Sequence, residues 1–374
     1  MRDLNLAAIG NCIVGALVDR QARIVWCCLP RLDGDPVFCG LLDGESEDGT
    51  CAIELVGLAE SRQAYGGNTA ILVTTLTDRA GGTVRVTDFV PRFKRHDRIY
   101  RPPLLMRRIE PVAGLCSVRI KVRPRFANGA AAPTRIPGSN HIRYVGPDAT
   151  LRLTTDAPVA YVASEQPFVL TAPLTLVLHP DETFEGSVPR LAQEFHDLTR
   201  DYWQEWARYL AVPFEWQDVV IRAAITLKLC SFEQTGAIVA ALTTSIPEAP
   251  GSGRNWDYRF CWLRDAYFVV HALNRLGATR TMEDYLRYIT TVMSLQPAAD
   301  LQPVYGIVPG EPLEERTVAS LAGYRGMGPV RIGNQASLQR QNDVYGSVVL
   351  AAAQAFFDQR LPVMGDRALF ERLE

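Results

Sequence analysis

Residues 253–277 read GRNWDYRFCWLRDAYFVVHALNRLG. Aromatic side chains alternate here with charged ones as far as Arg264 and Asp265, and an apolar segment closed by Gly277 follows. Apolar residues of this kind, ended by a glycine, are typical of a helix. The stretch therefore predicts a loop that runs into a helix.

The side chains of this loop suit a polar, ring-shaped ligand. Aromatic faces stack on the apolar C–H face of a sugar, and a neighbouring Arg and Asp can share several hydroxyl hydrogen bonds that are strengthened by charge. A purely structural interpretation stays open, in which the aromatic residues are buried in the core and Arg264 and Asp265 form a surface ion pair.

The same stretch resembles the loop that opens the catalytic domain of glycoside hydrolase family 15, which includes glucoamylases, glucodextranases and bacterial-type trehalases. The resemblance extends upstream through residues 9–43, IGNCIVGALVDRQARIVWCCLPRLDGDPVFCGLLD, and downstream through residues 321–336, LAGYRGMGPVRIGNQA. It implies that Arg264 and Asp265, beside Trp262, hold the hydroxyls of a non-reducing glucose. It also implies that Tyr324 contacts the sugar and that Arg331 donates a hydrogen bond to it, although an ion pair between a loop and the β-rich region is an alternative for Arg331.

Hydrolysis with inversion requires two carboxyl groups about 6.5–9.5 Å apart, one acting as general acid and one as general base. The resemblance places the acid at a Glu that follows Gly in a motif like QxDVYGE, whereas residues 341–347 of this chain read QNDVYGS. Ser347 thus occupies the expected acid position, and a hydroxyl cannot usefully protonate a leaving group. The family's general base lies in a part of the domain beyond Glu374. We therefore expect neither family carboxylate in this chain.

Other carboxylates remain as candidates. Glu314 and Glu315 are weak catalytic candidates in a long loop, and a solvated turn is the simpler interpretation because neighbouring like charges prefer water. The resemblance places Asp343 at the rim of the site, as a residue that binds a hydroxyl or supports one that does. Asp257 and Glu248 complete the set near the aromatic stretch.

The N-terminal half has a different periodicity. Apolar and polar residues alternate from about residue 5 to 185, as in residues 117–123, and turn signals recur about every ten residues, which predicts an antiparallel β-sandwich over residues 1–185. Hairpins are expected between residues 12–18 and 22–28 and between 71–76 and 83–90. Cys27 and Cys28 are adjacent on one of these strands, so at most one of them should face the core.

Residues 186–212 change to helical spacing and are predicted to form a connector helix. Its expected apolar stripe consists of Leu191, Phe195, Leu198, Tyr202, Trp206 and Leu210. Residues 213–374 are predicted to be mainly helical, with helices at 216–230, 263–276, 282–295 and 343–357 and another from about 366.

The resemblance implies that these helices belong to an α/α toroid of six hairpins. Residues 213–374 number 162, which is roughly half of what twelve helices of about 12 residues and their loops require. The predicted fold is therefore a two-domain β + α protein, in which a β-sandwich precedes an incomplete toroid. We expect a truncated product or fragment, and a homo-oligomer formed through apolar helix faces left exposed. The residues expected to be exposed are Val348, Leu350, Ala352, Phe356, Phe357, Leu369 and Phe370.

Charge and composition exclude several classes of function. The net charge is −2 with no basic face, so neither nucleic acid nor an anionic membrane is an expected partner. The eight cysteines include no CxxC pair and the five histidines are scattered, which argues for reduced, buried thiols and against a metal or other cofactor. Without a signal peptide or a long apolar run, the chain is expected to be cytoplasmic.

The expected function is hydrolysis of α-glucosidic bonds, in trehalose or at the non-reducing ends of malto-oligosaccharides. The expected partner is thus a glucose-containing di- or oligosaccharide. The alternative is a catalytically inactive member of the family that binds sugar or another protein.

Overall fold

The computed structural model describes residues 3–44, 46–184, 186–295 and 301–357, with side chains as far as residue 353. The chain forms two compact units. The first comprises residues up to Ala207 together with Ala319–Gly328, and the second comprises Arg208–Val318 and the residues from Pro329 onward.

The first unit is built mainly of β-strands. Its elements, in chain order, are β1 (Ala7–Gly10), β2 (Gly15–Val18), β3 (Ile24–Leu29), β4 (Asp35–Phe38), β5 (Thr50–Leu55), β6 (Leu58–Tyr65), β7 (Leu72–Asp78), β8 (Thr83–Phe89), β9 (Phe93–Arg95), β10 (Arg98–Tyr100), β11 (Leu105–Ala113), β12 (Cys116–Arg123), β13 (Thr134–Pro137), β14 (His141–Val145), β15 (Thr150–Thr155), α1 (Val159–Ser164), β16 (Phe168–Leu170), β17 (Leu174–Pro180) and α2 (Val188–Arg208).

These strands form two large antiparallel sheets. The first has the order β1-β2-β3-β5-β12-β16 with β4 paired to β3, and the second has the order β13-β14-β15-β17-β11-β8-β7-β6. Both predicted hairpins are present, since β2 pairs with β3 and β7 pairs with β8. On β12, burial alternates along the strand, with Val118, Ile120 and Val122 buried. The predicted antiparallel β-rich region followed by helices is confirmed.

A buried ion pair of the second sheet is also hydrogen-bonded to the first sheet. Arg107 on β11 donates from Nε to Oδ1 of Asp88 at 2.7 Å and from Nη1 to the Cys51 carbonyl on β5 at 2.6 Å. Both charged side chains are fully buried. Removal of one partner would leave an uncompensated charge in the core and would therefore be strongly destabilising.

The prediction for the adjacent cysteines is wrong. Cys27 and Cys28 are both buried, because β3 is covered on both of its faces from Ile24 to Cys28. Alternation identifies a strand but cannot tell whether its second face meets solvent. All eight cysteines are free thiols, as expected, and only Cys230 is partly exposed.

Helix α2 packs with a face shifted from the predicted stripe. Its buried residues are Val188, Ala192, Phe195, Thr199, Trp203 and Ala207. Phe195 belongs to both sets, whereas Leu198 is exposed and Tyr202 lies at the edge of the contact. The Thr199 hydroxyl accepts a hydrogen bond from the Arg92 backbone N–H at 3.2 Å, so a small polar residue occupies the position where the sequence suggested a leucine.

The second unit contains the remaining helices and short hairpins. Its elements are α3 (Gln217–Leu229), β18 (Ser231–Phe232), β19 (Ala237–Ile238), β20 (Cys261–Trp262), α4 (Leu263–Arg275), α5 (Thr279–Leu295), β21 (Val304–Tyr305), β22 (Arg316–Val318), β23 (Val330–Ile332) and α6 (Asp343–Phe357). The four helices predicted between residues 216 and 357 are confirmed to within three residues at each end. The helix predicted from about residue 366 lies outside the described residues.

Two local features shape this unit. The turn between β18 and β19 needs Gly236, whose φ is 95° and where an added Cβ would lie 1.9 Å from the Asp284 carbonyl oxygen. Helix α4 packs against both α5 and α6, which brings the first turns of α4 and α6 together. Among the described residues, no helix has the length and apolar character needed to cross a membrane.

Candidate functional site

A cavity of about 480 Å³ lies within the second unit, a size typical of small-molecule sites. The described residues that line it are Glu248, Arg254, Trp256, Tyr258, Trp262, Arg264, Asp265, Glu315, Asn334, Gln335, Ala336, Gln339 and Gln341. The aromatic stretch singled out in the sequence therefore forms much of its wall.

An extended backbone presents the aromatic residues to the cavity. The amides of Ala240 and Ala241 donate to the carbonyls of Phe260 and Tyr258, so this segment runs beside a neighbouring strand-like segment. Extended chain alternates its side chains between two faces. Trp256, Tyr258 and Trp262 are consequently partly exposed on the cavity side.

The intervening charged residues lie on the other face. Asp257 is fully buried and Arg259 nearly so, and the guanidinium donates to both carboxylate oxygens at 2.9 and 2.8 Å. Asn334 donates to the Asp257 carbonyl at 2.9 Å and fixes the same strand to the following loop. This pair supports the wall from behind, and Asp257 is inaccessible to a ligand.

Arg264 contacts two carboxylates at the edge of the cavity. Its Nη1 lies 3.1 Å from Oδ2 of Asp343, and its Nη2 lies 3.7 Å from Oδ2 of Asp265. The Trp262 ring centroid is 6.0 Å from the guanidinium carbon. Since all three charged side chains are about half exposed, with values of 45–46%, they are accessible to a ligand. The structure thus brings together four of the six sugar-binding residues implied by the resemblance.

The environment of Asp265 affects its ionisation. Burial is the main cause that raises the pKa of this carboxyl, and the nearby Asp343 carboxylate raises it further, while Arg264 acts in the opposite direction. Because the opposite charge of Arg264 and the like charge of Asp343 both lie nearby, the pKa of Asp265 is sensitive to what binds there.

Glu248 forms a hub that the sequence did not reveal. Its carboxylate accepts hydrogen bonds from Arg254 Nε at 2.5 Å, from Trp256 Nε1 at 2.9 Å and from the Tyr258 hydroxyl at 3.4 Å. The hydrogen bond from Arg254 is the main cause that lowers the pKa of Glu248. The only available signal was a carboxylate eight residues before a tryptophan, and such a spacing does not predict a contact between loops.

Arg331 lies behind the wall. It donates from Nη1 to the carbonyls of Gly253 and Asn255 at 3.2 and 2.9 Å, and its Nε lies 3.4 Å from Glu315. Its guanidinium carbon is 4.8 Å from the Trp256 ring centroid. Arg331 is not among the residues that line the cavity, and its hydrogen bond to glucose stays a prediction.

Glu314 and Glu315, the two weak catalytic candidates, differ in position. Glu315 lines the cavity, where its Oε2 accepts from the Gln335 backbone N–H at 3.1 Å. Glu314 is exposed and instead lines an adjacent cavity of about 550 Å³, which Glu315 and Gln335 also border.

Ser347 and Tyr324 are not among the residues that line the cavity. Ser347 is buried in α6, where its hydroxyl donates to the Asp343 carbonyl at 2.9 Å. Tyr324 belongs to the first unit, is buried, and has the Arg325 guanidinium 5.2 Å from its ring centroid. Its contact with a sugar stays a prediction.

Two parts of the chain match known family models. Residues 216–367 match the family model for glycosyl hydrolases family 15, and residues 5–176 match the model described as trehalase-like, N-terminal.

Similar proteins are named trehalases. One from Thermoplasma volcanium is 32% identical over 363 residues, covering 92% of this chain and 55% of the relative. One from Mycobacterium tuberculosis is 29% identical over 370 residues, covering 89% and 53%. Trehalase 1 from Sulfolobus acidocaldarius is 29% identical over 354 residues, covering 92% and 58%. The chain spans about half the length of the curated relatives it matches.

Proposed function

We propose that this chain supplies the glucose-binding part of an α-glucoside hydrolase, because residues 216–367 match the model for glycosyl hydrolases family 15 and follow a region that matches a trehalase-like N-terminal model. We propose trehalose as the substrate because the similar proteins above carry the name trehalase.

The observation that carries this proposal is the contact of Arg264 with both Asp265 and Asp343 beside Trp262. A glucose hydroxyl can donate to a carboxylate and accept from a guanidinium at the same time, and bonds to ionised groups are stronger than neutral ones. The Trp262 ring supplies an apolar surface for the C–H face of the sugar. These are the two kinds of contact that a pyranose ring needs.

The proposed reaction is hydrolysis with inversion, which requires an acid that protonates the leaving oxygen and a base that activates water. The acid is not at the position given by the family resemblance, because Ser347 is buried and its hydroxyl is engaged by the Asp343 carbonyl. Among the weak carboxylate candidates, Glu315 is the one that borders the cavity.

The serine at position 347 supports a second function. With a serine at the expected acid position, these 374 residues would bind a glucose-containing sugar without hydrolysing it. Sugar binding is common to both functions, so it is the property to test first.

The test replaces Arg264 or Asp265 by Ala and measures the binding of trehalose and maltose by isothermal titration. Each substitution removes charge-assisted hydrogen bonds, so we expect a loss of about 1.5–3 kcal/mol of binding free energy. Arg280→Ala is the matched control, because Arg280 is a mostly exposed arginine of α5 that forms ion pairs within its own helix. Unchanged affinity in both site variants would refute the assignment, and tighter binding of maltose would refute trehalose as the preferred ligand.

A further inference from the structure

Trp256 is held in one orientation by a hydrogen bond at its edge. Its indole N–H donates to Glu248 at 2.9 Å, and the same carboxylate is fixed by Arg254 and by the Tyr258 hydroxyl. An indole has a single polar group, so this bond satisfies its hydrogen-bonding capacity within the protein. The ring then offers a ligand only its apolar surface.

One surface of the same ring is occupied by a cation. The Arg331 guanidinium carbon lies 4.8 Å from the ring centroid, and Arg331 is itself fixed by the Gly253 and Asn255 carbonyls and by Glu315. Cation–π contacts of this type hold a ring in position. Because Trp256 nevertheless lines the cavity, it contributes an ordered aromatic surface to the wall.

Trp256 and the Arg264 group are connected along that wall. The Tyr258 hydroxyl contacts Glu248, the Tyr258 ring centroid is 6.4 Å from that of Trp262, and Trp262 lies beside Arg264. All three aromatic side chains border the cavity, whose volume is about 480 Å³. The cavity therefore has room on this wall for a second ring.

The remaining lining favours a neutral, hydroxyl-rich ligand. Gln335, Gln339 and Gln341 border the cavity, and an amide can both donate to and accept from a hydroxyl. A charged ligand would instead be matched by an excess of one sign of charge, whereas Glu248, Asp265 and Glu315 here accompany Arg254 and Arg264.

We propose that Trp256 is the stacking surface for the second sugar ring of the substrate, and that Glu248 and Arg331 are positioning residues that hold Trp256 in place. This inference rests on the proposed function, in which the Arg264 group holds the first glucose. Trp256 would then determine that the site prefers a disaccharide to free glucose. A surface that is ordered before binding loses little conformational freedom when a ring stacks on it.

The test compares the binding of glucose and trehalose by isothermal titration with the complete 374-residue chain. We expect Trp256→Ala to weaken trehalose binding by on the order of tenfold, about 1.4 kcal/mol, while glucose binding changes less than about twofold. Trp256→Phe keeps an aromatic ring and should lose less. Phe214→Ala is the control, because Phe214 is 94% exposed and does not line the cavity.

The positioning role of Glu248 has its own readout. Glu248→Ala should lower the ratio of trehalose to glucose affinity, and Glu248→Gln should restore part of it because the amide oxygen can still accept from Trp256. A change in stability alone would lower both affinities together and leave the ratio unaltered.

The outcomes distinguish the two proposals. If the wild-type chain binds neither sugar, or if Arg264→Ala has no effect, the proposed function fails and this inference fails with it. If Arg264→Ala removes binding of both sugars but Trp256→Ala changes them equally or changes neither, the proposed function stands and only the role of Trp256 is refuted.

Discussion

In the aromatic stretch, the burial of single residues is the reverse of what the polarity of their side chains suggests. Asp257 and Arg259 are buried as a pair, while Trp256, Tyr258 and Trp262 reach the cavity. A buried charged pair is costly to desolvate and is destabilising to break. The side chains of Arg264, Asp265 and Asp343, by contrast, are about half exposed.

Ser347 provides a prediction at this scale. We expect the 374-residue chain to release no glucose from trehalose or maltose, because the expected acid position holds a buried hydroxyl. Ser347→Glu should not create activity, since the side chain is only 8% exposed and a new carboxylate there would be poorly solvated and would disturb α6. The measurement is an enzymatic assay of released glucose.

Glucose release by the wild-type chain would contradict this prediction. Glu315→Gln would then be the variant to examine, with Glu314→Gln as its neighbour outside the cavity lining.

The group around Arg264 is formed by two helices that pack against each other, and not by one element alone. Helix α4 contributes Arg264 and Asp265 in its first turn, and α6 contributes Asp343 in its own first turn. The packing of α4 against α6 brings the Arg264 guanidinium within 3.1 Å of the Asp343 carboxylate, although the two residues are 79 positions apart in the chain.

The contact between β15 and β17 gives a prediction about pH. His179 on β17 is buried, with Nε2 2.9 Å from the Thr154 hydroxyl of β15 and Nδ1 2.6 Å from the Pro180 carbonyl oxygen. The pKa of His179 is lowered to about 4, mainly by burial and to a smaller extent by Arg152 and His141, against the opposing effects of the Pro180 carbonyl and Asp181.

Because an unfolded histidine has a pKa of about 6.5, the unfolded chain gains a proton that the folded chain does not hold between that pH and about 4. The contribution of His179 is therefore fully present above about pH 6.5 and is lost as the pH falls through this window, by on the order of 3 kcal/mol.

Urea unfolding at pH 7 and pH 4.5 checks this expectation. His179→Gln should show a smaller loss of unfolding free energy on acidification than the wild type. His271→Gln, at an exposed position on α4, should behave like the wild type. An identical pH dependence in the His179 variant would rule out this role for the histidine.

At the scale of the whole molecule, the described residues that line the cavity belong to one unit. The first unit nevertheless includes Ala319–Gly328, the segment between β22 and β23 of the second unit, and Gly323 donates to the Leu42 carbonyl at 2.8 Å. The chain thus crosses between the units more than once.

Exposed apolar residues on α6 give a prediction about assembly. Val348 and Ala352, two residues expected to be exposed, are buried, whereas Leu350 is 56% exposed and the adjacent Val349 is 40% exposed. The expected exposure of Phe356, Phe357, Leu369 and Phe370 concerns side chains outside the described residues. Contiguous apolar surface promotes association. We expect the mass measured by light scattering to rise with concentration, and Leu350→Glu to reduce that rise.

Leu115→Glu is the control for this experiment, because Leu115 is 78% exposed in the first unit. A constant monomer mass at all concentrations, or an equal response of the two variants, would exclude association through α6.

The sequence by itself determined the local structure and the chemical character of the site. The alternation in residues 117–123 predicted a strand, the apolar segment after Asp265 predicted α4, and the combination of Trp262, Arg264 and Asp265 indicated a sugar site. These properties depend on neighbouring residues, and periodicity records them directly.

The tertiary structure alone decided which faces and which distant residues meet. A period of two cannot say whether Trp256 or Asp257 faces the cavity, or that Cys27 and Cys28 are both covered. Nor could it reveal that Glu248 fixes Trp256 or that α2 turns Thr199 inward. Each of these outcomes depends on contacts between segments that are far apart or irregular, and the residues themselves carry no local signal of such contacts.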